Sequence, residues 1–296
     1  MRRVATFYVA MACCLGLTAA CSQDRYAAVP DAADWQAPSN PPQLAAPQDL
    51  AAKLLTDAEA TATYLAQFPK NAYSLAEVPG LGQFYIDKPD DVIKRTIANG
   101  ETYEKTVTEL LIANTPPHGV ALDVGAHMGT HSVLLARLVG PYGHVYAFEP
   151  QRKLHRELVH NLALNNLTNV TALRFAVGQG PAMVVEMNPT VEGNEGSTKL
   201  GRGGDKAELR AIDDLAFPQV NLIKIDVEGF ELEVLAGATQ TLRRDQPLIV
   251  MEVHGDGGDQ AAQAHFDSVM ALIAQLGYQA QHVRGANYVF TPGPTS

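Results

Sequence analysis

A glycine-containing turn with an acidic residue on either side is the segment of this sequence best suited to hold a ligand. Residues 120–137 read V-A-L-D-V-G-A-H-M-G-T-H-S-V-L-L-A-R, in which an apolar strand ends at Asp123 and Gly125 and a helix begins near Gly129. Glycines permit a sharp turn and leave backbone N–H groups free to face a ligand. Glu149, which ends the next apolar strand, could then accept hydrogen bonds from both hydroxyl groups of a ribose.

The spacing of this turn narrows the choice of ligand. Dinucleotide binding requires G-x-G-x-x-G, whereas three residues separate Gly125 from Gly129 here. The sequence has no Gly-Lys dipeptide, which excludes a Walker-type phosphate loop, and no tyrosine is followed four residues later by the lysine of short-chain dehydrogenases. S-adenosylmethionine therefore fits better than NAD or ATP. Each residue alone could belong to an ordinary turn or strand end, so the interpretation depends on their combination.

Further acidic residues and a histidine follow two later apolar strands. Asp226 and Glu228 end the segment N-L-I-K-I-D-V-E-G, and His254 ends P-L-I-V-M-E-V-H. The ordinary pKa of histidine, about 6.5, suits proton removal near neutral pH, so His254 is the first candidate for a catalytic base and the two carboxylates are alternatives. His254 could equally be a loop histidine without a catalytic role. Asp226 could instead contact a cofactor or bind a divalent ion with Asp213 and Glu252, although no metal motif requires an ion and none is expected.

The order of strands and helices predicts how these residues are positioned. Leucines at four-residue spacing in residues 151–166 indicate an amphipathic helix. The other predicted elements are strands at 170–177, 183–187, 209–215, 221–229 and 247–254, helices at 91–114, 230–244 and 259–276, and a final antiparallel hairpin of 278–283 and 287–291. Alternating strands and helices form a parallel α/β sheet. Ligands bind at the carboxyl ends of such strands, where Asp123, Glu149, Asp226, Glu228 and His254 should converge.

A loop at residues 193–205 contains five glycines in thirteen residues. Such a loop could close over a substrate, or it could be a solvated connection between two strands of a hairpin.

From about Gln83 to Thr291 the chain resembles the FkbM family of S-adenosylmethionine-dependent methyltransferases. The resemblance rests on G-Q-F-Y-I-D, T-Y-E-K around Glu104, L-D-V-G-A-H-M-G-T-H, V-Y-A-F-E-P, A-I-D-D-L and I-K-I-D-V-E-G-F-E-L-E-V-L-A-G-A. It implies a Rossmann-like class I methyltransferase fold, with a seven-stranded, mostly parallel sheet, helices on both faces and an antiparallel C-terminal hairpin. It also implies methylation of a hydroxyl oxygen. His127 stands where the family usually has asparagine, and its imidazole can still form a hydrogen bond to the cofactor.

The charge and the cysteines restrict the class of partner. The formal net charge of −10 and the absence of a basic patch argue against a nucleic-acid substrate. All three cysteines lie within the first 21 residues, so we expect no disulfide or cysteine metal site in the folded domain. We expect a methyltransferase domain at residues 119–296 preceded by a helical extension at residues 50–118, in which residues 50–68 form one helix.

The amino end resembles a bacterial lipoprotein signal. Arg2 and Arg3 precede an apolar stretch at residues 4–20, and Thr18-Ala19-Ala20 precede Cys21, which would carry the lipid. Residues 22–49, rich in Ala, Pro and Gln, are expected to be a tether. The resemblance implies a protein anchored to a membrane of the bacterial cell envelope; an uncleaved anchor or a cytoplasmic location is the alternative.

Export and the expected cofactor conflict, because S-adenosylmethionine is made in the cytosol. Three functions therefore stay open. The first is an O-methyltransferase acting on a glycan, a lipid-linked molecule or a small metabolite. The others are an exported, catalytically silent nucleoside- or sugar-binding protein and an interaction module that uses a methyltransferase fold.

Overall fold

The computed structural model describes residues 35–38, 72–88, 90–188, 193–255 and 259–294. The predicted signal, Cys21 and the helix expected at residues 50–68 lie outside these ranges. No helix in the described part of the chain is long and apolar enough to cross a membrane.

Twelve strands and seven α-helices occur in the described ranges. The strands are β1 (Ser74–Val78), β2 (Gly82–Ile86), β3 (Val120–Val124), β4 (His144–Phe148), β5 (Val170–Leu173), β6 (Phe175–Val177), β7 (Met183–Glu186), β8 (Lys206–Arg210), β9 (Leu222–Ile225), β10 (Leu248–Glu252), β11 (Tyr278–Arg284) and β12 (Asn287–Pro292). The helices are α1 (Val92–Ala98), α2 (Lys105–Asn114), α3 (Thr130–Val139), α4 (Arg152–Leu164), α5 (Glu231–Ala236), α6 (Thr239–Asp245) and α7 (Gln260–Gln275).

Seven strands form the central sheet in the order β11-β12-β10-β9-β3-β4-β5. Strands β5, β4, β3, β9 and β10 run parallel, whereas β12 pairs antiparallel with both β10 and β11. The predicted Rossmann-like α/β sheet with its antiparallel C-terminal hairpin is therefore confirmed.

Apolar residues cover both faces of the central strands β3, β4, β9 and β10, which explains why these strands are mostly apolar. Along β3, Leu122 and Val124 pack in one cluster with Val234 of α5. Ala121 packs in a second cluster with Val133 of α3. Because side chains alternate along a strand, these clusters lie on opposite faces, and only the ends of the strands are open to a ligand.

Three predicted elements of the methyltransferase domain differ in the structure. The strand predicted at 170–177 is divided into β5 and β6, because β6 leaves the main sheet and pairs with β8. The helix predicted at 230–244 is interrupted at Gly237, where a Cβ atom would lie 2.3 Å from the carbonyl oxygen of Gly178. Of the segment predicted to be extended at 209–215, only the first two residues belong to β8, which ends at Arg210. Residues Ile212–Leu215 form a 3₁₀ turn.

The extension before β3 is not wholly helical. Its described part begins with the antiparallel hairpin β1–β2, whose turn contains Gly80 at φ +77°. Buried and exposed positions alternate toward the end of both strands, a period of two that a helix cannot use. The helix predicted at 91–114 is divided into α1 and α2, with Gly100 at φ +73° after the first.

One part of the predicted tether contacts the folded domain. The ring of Trp35 lies edge-on to His118, with ring centroids 5.2 Å apart. It also covers Gly140, where a Cβ atom would lie 2.4 Å from the indole ring. Residues 35–38 are therefore placed against the domain, a contact that composition alone did not reveal.

Candidate active site

A cavity of about 300 Å³ lies at the carboxyl ends of the parallel strands, within the range of small-molecule sites. The predicted convergence of chemical groups at this edge of the sheet is largely confirmed. Six of the predicted site residues line the cavity, namely Gly125, His127, Glu149, Asp226, Glu228 and His254.

Two loops approach each other closely at the base of the cavity. Gly125 has φ +83°, and a Cβ atom there would lie 1.8 Å from the carbonyl oxygen of Asp226. Its N–H donates to the carbonyl oxygen of Phe148 at 3.0 Å. Only glycine allows this conformation and this separation together, so the turn after β3 and the loop after β9 can share one wall.

A buried lysine holds these two loops together. Nζ of Lys224 donates to the carbonyl oxygen of Gly125 at 2.9 Å and to Oδ2 of Asp226 at 3.3 Å. It also lies 3.3 Å from Oδ1 of Asp123. Burial alone would lower the pKa of Lys224, but the carboxylates of Asp226 and Asp123 raise it, so the ammonium group stays charged.

Glu149 is oriented by two backbone donors. Its carboxylate oxygens accept hydrogen bonds from the N–H of His127 at 2.9 Å and from the N–H of Gln151 at 2.8 Å. The residue is 4% exposed, and burial raises the pKa of its carboxyl group to about 7. A carboxylate can accept about four hydrogen bonds, so Glu149 retains the capacity to bind a pair of ribose hydroxyls.

His127 faces the cavity as a neutral ring. Burial lowers its pKa to about 4, and neither ring nitrogen has a hydrogen-bond partner among the described residues. The backbone at this position has φ +51°, a conformation that histidine tolerates less well than glycine. The imidazole therefore offers one donor and one acceptor to a ligand.

Two residues predicted to bind the cofactor do not line the cavity. Asp123 is fully buried and accepts a hydrogen bond from Oγ of Ser132 at 2.6 Å, while its other oxygen faces Lys224. Gly129 lies under Leu158 of α4, where a Cβ atom would lie 2.6 Å from Cδ1. Alternation along β3 directs Asp123 away from the ligand, and Gly129 serves helix packing, so both residues support the turn indirectly.

The three candidates for the base, Asp226, Glu228 and His254, all line the cavity. Nε2 of His254 lies 3.3 Å from Oε1 of Glu252, and the His254 side chain is 64% exposed. Burial and the neighbouring Asp226 raise the pKa of Glu228 above its ordinary value.

Asp213 does not lie at the cavity, since its carboxylate caps α6 by accepting hydrogen bonds from the N–H groups of Gln240 and Thr241. The expected alternative of an ion shared by Asp213, Asp226 and Glu252 is therefore wrong for Asp213.

Glu104 lines the cavity, although the sequence alone did not mark it as a candidate site residue. It precedes α2 with φ +45°, and burial together with Asp226 raises the pKa of its carboxyl group to about 8. Oxygen atoms of Glu104, Asp226 and Glu252 lie within 4.8 Å of one another. The T-Y-E-K segment of the family resemblance was the available signal. It did not indicate that Glu104 would lie beside Asp226 and Glu252, which are far away in sequence.

The glycine-rich loop forms the outer wall of the cavity, including Gly196, Thr198 and Leu200. A charged cluster fixes its start. Lys94 is fully buried and pairs with Glu195 at 2.7 Å and with Glu157 of α4 at 2.9 Å. The loop connects the antiparallel strands β7 and β8, as the hairpin interpretation predicted, and part of it also lines the cavity.

The sheet order and the cavity at the strand ends define a Rossmann-like α/β fold with a small-molecule site. A family model, the methyltransferase FkbM domain, matches residues 123–280, which is more than half of the chain. The protein therefore belongs to the FkbM methyltransferase family.

Two characterised relatives share part of the sequence. The hexuronic acid methyltransferase AglP of Haloferax volcanii is 28% identical over 187 residues, covering 61% of this chain and 74% of that protein. The methyltransferase sdnD of Sordaria araneosa is 28% identical over 208 residues, covering 57% of this chain and 77% of that protein. A crystal structure of an FkbM methyltransferase from Methylobacillus flagellatus aligns with a TM-score of 0.41 and 18% identity, over 67% of this chain and about half (52%) of that one.

S-adenosylmethionine is the cofactor of this family, and the cavity fits it. Glu149 can accept hydrogen bonds from the ribose, and Gly125 lets the turn after β3 lie directly against the loop after β9 to form one wall. His127, which lines the cavity, has two unpartnered ring nitrogens.

The first prediction concerns the close approach of Gly125 to Asp226. Replacing Gly125 with alanine should lower the free energy of unfolding by about 3 kcal/mol, because the new Cβ collides with a backbone oxygen at a positive φ. Binding of S-adenosylhomocysteine should weaken at least tenfold. Gly180→Ala is the matched control, since Gly180 has φ +107° but open space around its Cβ position, so only about 1 kcal/mol of backbone strain is expected. Urea unfolding and calorimetric titration provide the measurements, and equal behaviour of the two variants would contradict this account of the turn.

Proposed function

We propose that this protein transfers a methyl group from S-adenosylmethionine to a hydroxyl oxygen of a glycan, a lipid-linked molecule or a small metabolite. The observation that carries the proposal is that one cavity combines the nucleoside-binding residues Gly125 and Glu149 with candidate proton acceptors, Asp226, Glu228 and His254.

In this mechanism the protein binds, orients and removes a proton. When bound, S-adenosylmethionine would supply a methyl group that the positive charge on its sulfur has already activated. Glu149 and the turn at Gly125 hold the nucleoside, and the glycine-rich loop at residues 193–205 contributes part of the wall around it. Since the methyl group is already activated, correct positioning of the acceptor oxygen contributes much of the rate.

The hydroxyl proton requires an acceptor, for which His254 is our first choice. Its Nε2 lies 3.3 Å from Oε1 of Glu252, so a protonated imidazole would gain a carboxylate partner. This pairing supports the assignment, because the carboxylate stabilises the positive charge that the ring acquires. Asp226 and Glu228 are the alternatives.

The charge of the cavity favours a neutral acceptor. Among the described residues that line it, none is lysine or arginine, whereas five are acidic, namely Glu104, Glu149, Asp226, Glu228 and Glu252. An anionic acceptor would meet this acidic wall at a cost in free energy. The relative from Haloferax volcanii is named for a hexuronic acid, whereas the wall described here supports a neutral hydroxyl group as the acceptor.

The second prediction tests the reaction and the base together. Full-length protein incubated with methyl-labelled S-adenosylmethionine and an envelope extract should label an acceptor in a linkage that resists mild base, as a methyl ether does and a methyl ester does not. His254→Ala should lower the rate roughly 10²- to 10⁴-fold while cofactor affinity stays within about twofold. His282→Ala is the control, because His282 lies on β11 and does not line this cavity.

Two results would contradict this proposal. Release of the label by mild base would indicate a carboxylate acceptor. Full activity of the His254 variant across pH 6–9 would move the proton to Asp226 or Glu228.

We further propose that the protein is anchored to a membrane of the cell envelope through a lipid on Cys21. The proposal rests on the basic residues Arg2 and Arg3, the apolar stretch that follows them and the small residues before Cys21.

The third prediction follows from this lipoprotein assignment. Intact-mass analysis of protein purified from its membranes should show a chain that begins at an acylated Cys21. Several acyl chains, each contributing about 0.8 kcal/mol per buried CH₂, hold a protein on the bilayer. Cys21→Ala should abolish acylation, with Cys14→Ala as a matched control within the leader. An unprocessed amino terminus on the unaltered protein would refute the assignment.

A further inference from the structure

Three carboxyl groups from three separate elements meet on the wall of the cofactor cavity. Glu104 precedes α2, Asp226 follows β9, and Glu252 ends β10. One oxygen atom from each lies within 4.8 Å of the others. Carboxylates so close together repel one another, so the arrangement is unfavourable unless protons or a cation offset their charge.

The protein itself offsets only part of this charge. Lys224 contacts Asp226 at 3.3 Å, but the same ammonium group also contacts Asp123 and the Gly125 carbonyl oxygen behind the wall. Burial, with a further contribution from Asp226, raises the pKa of Glu104 to about 8, and the same two causes raise the pKa of Glu252. The raised pKa values mean that a proton offsets part of the charge when the cavity holds no other cation, and a ligand cation bound beside the three carboxyl groups could replace that proton.

A buried histidine lies beside the cluster, and one of its ring nitrogens has no hydrogen-bond partner among the described residues. His131 is 6% exposed, and its Nδ1 lies 4.0 Å from Oε2 of Glu104. Its Nε2 has no hydrogen-bond partner among the described residues, and burial lowers the pKa of the ring to about 3. The ring is thus neutral and cannot neutralise the carboxylates. An unsatisfied nitrogen on a buried ring beside the cluster is unusual in a native structure, and the three carboxyl groups themselves line the cavity, which together favour a ligand at this place.

We propose that Glu104, Asp226 and Glu252 form a cation subsite of the cofactor cavity, which holds the sulfonium centre of S-adenosylmethionine and so favours the charged cofactor over its neutral product. This inference rests on the proposed function. S-adenosylmethionine carries one positive charge more than S-adenosylhomocysteine, and the two ligands are otherwise nearly identical. Carboxylates near the sulfur therefore add binding free energy for the cofactor alone.

The subsite has a consequence for turnover. Methyl transfer breaks the bond between sulfur and the methyl carbon and forms a bond from the acceptor oxygen to that carbon, while the hydroxyl proton passes to the base. The sulfur becomes neutral in this step. The attraction to Glu104, Asp226 and Glu252 is then lost at the moment when the product must leave, so product inhibition is reduced.

The fourth prediction compares three ligands by calorimetric titration of the full chain. S-adenosylmethionine and sinefungin, which has an ammonium group in place of the sulfonium, should bind more tightly than S-adenosylhomocysteine. Glu104→Gln and Glu252→Gln should each weaken binding of the two charged ligands roughly five- to fiftyfold, and should change affinity for S-adenosylhomocysteine less than twofold. Asp267→Asn, an exposed carboxylate on α7 outside the cavity, is the control for loss of one negative charge.

The outcomes separate this inference from the proposed function. Binding of S-adenosylhomocysteine that resists the substitutions confirms that each variant is folded and that the cofactor cavity is intact. An equal loss for all three ligands would overturn the subsite while leaving the proposed function in place. If none of the three ligands binds the unaltered protein, both proposals fail. If magnesium chloride titrates the cluster and the preference for charged ligands survives the substitutions, the site holds a metal ion and the sulfonium assignment is wrong.

Discussion

The ammonium group of Lys224 is the contact on which the geometry of the site depends. It lies at the centre of the sheet, 3% exposed, and joins Asp123, Asp226 and the carbonyl oxygen of Gly125. Removing one partner of a buried charge cluster leaves the others without compensation, at a typical cost of about 3–5 kcal/mol. The turn after β3 and the loop after β9 can approach closely because one ammonium group binds the Gly125 carbonyl oxygen in the turn and the Asp226 carboxylate in the loop.

The same arrangement gives the cavity its electrostatic character. Lys224 is committed to the interior, so the side that faces a ligand retains an excess of carboxylates. A purely structural ion cluster would be expected to neutralise its charge internally, as Lys94 and Lys153 largely do for Asp87, Glu157 and Glu195 beneath the glycine-rich loop. The contrast between the two clusters is the physical reason for assigning a ligand to one and a structural role to the other.

The sequence predicted the fold well where local pattern and long-range packing agree. Buried strands such as β3 and β9 are almost wholly apolar, and the final hairpin is bounded by glycine, so their places in the sheet could be predicted. The positions where predicted helices and strands are interrupted were harder to predict. Gly237 interrupts a regular helical pattern because a distant backbone oxygen of Gly178 lies against it, and local sequence does not reveal that neighbour.

Some residues of the site could be predicted from local sequence, whereas the position of others depends on register and on packing between distant segments. Gly125 and Glu149 could be assigned from the ends of two strands, since strand ends must meet at one edge of a parallel sheet. The inward direction of Asp123 depends on the register of a single residue in β3, and the role of Gly129 depends on the packing of Leu158 against it. The meeting of Glu104 with Asp226 depends on how the extension folds over the sheet, which no local pattern encodes.

The central claim is that the cavity binds the nucleoside part of S-adenosylmethionine through Glu149. Calorimetric titration of S-adenosylhomocysteine into the full chain and into Glu149→Ala tests it directly, with thermal melting to confirm that the variant is folded. Loss of a charge-assisted hydrogen bond to ribose costs roughly 1.5–3 kcal/mol, so the variant should bind about ten- to a hundredfold more weakly. Unchanged affinity in a folded variant, or no binding to the unaltered protein at millimolar ligand, would contradict the account.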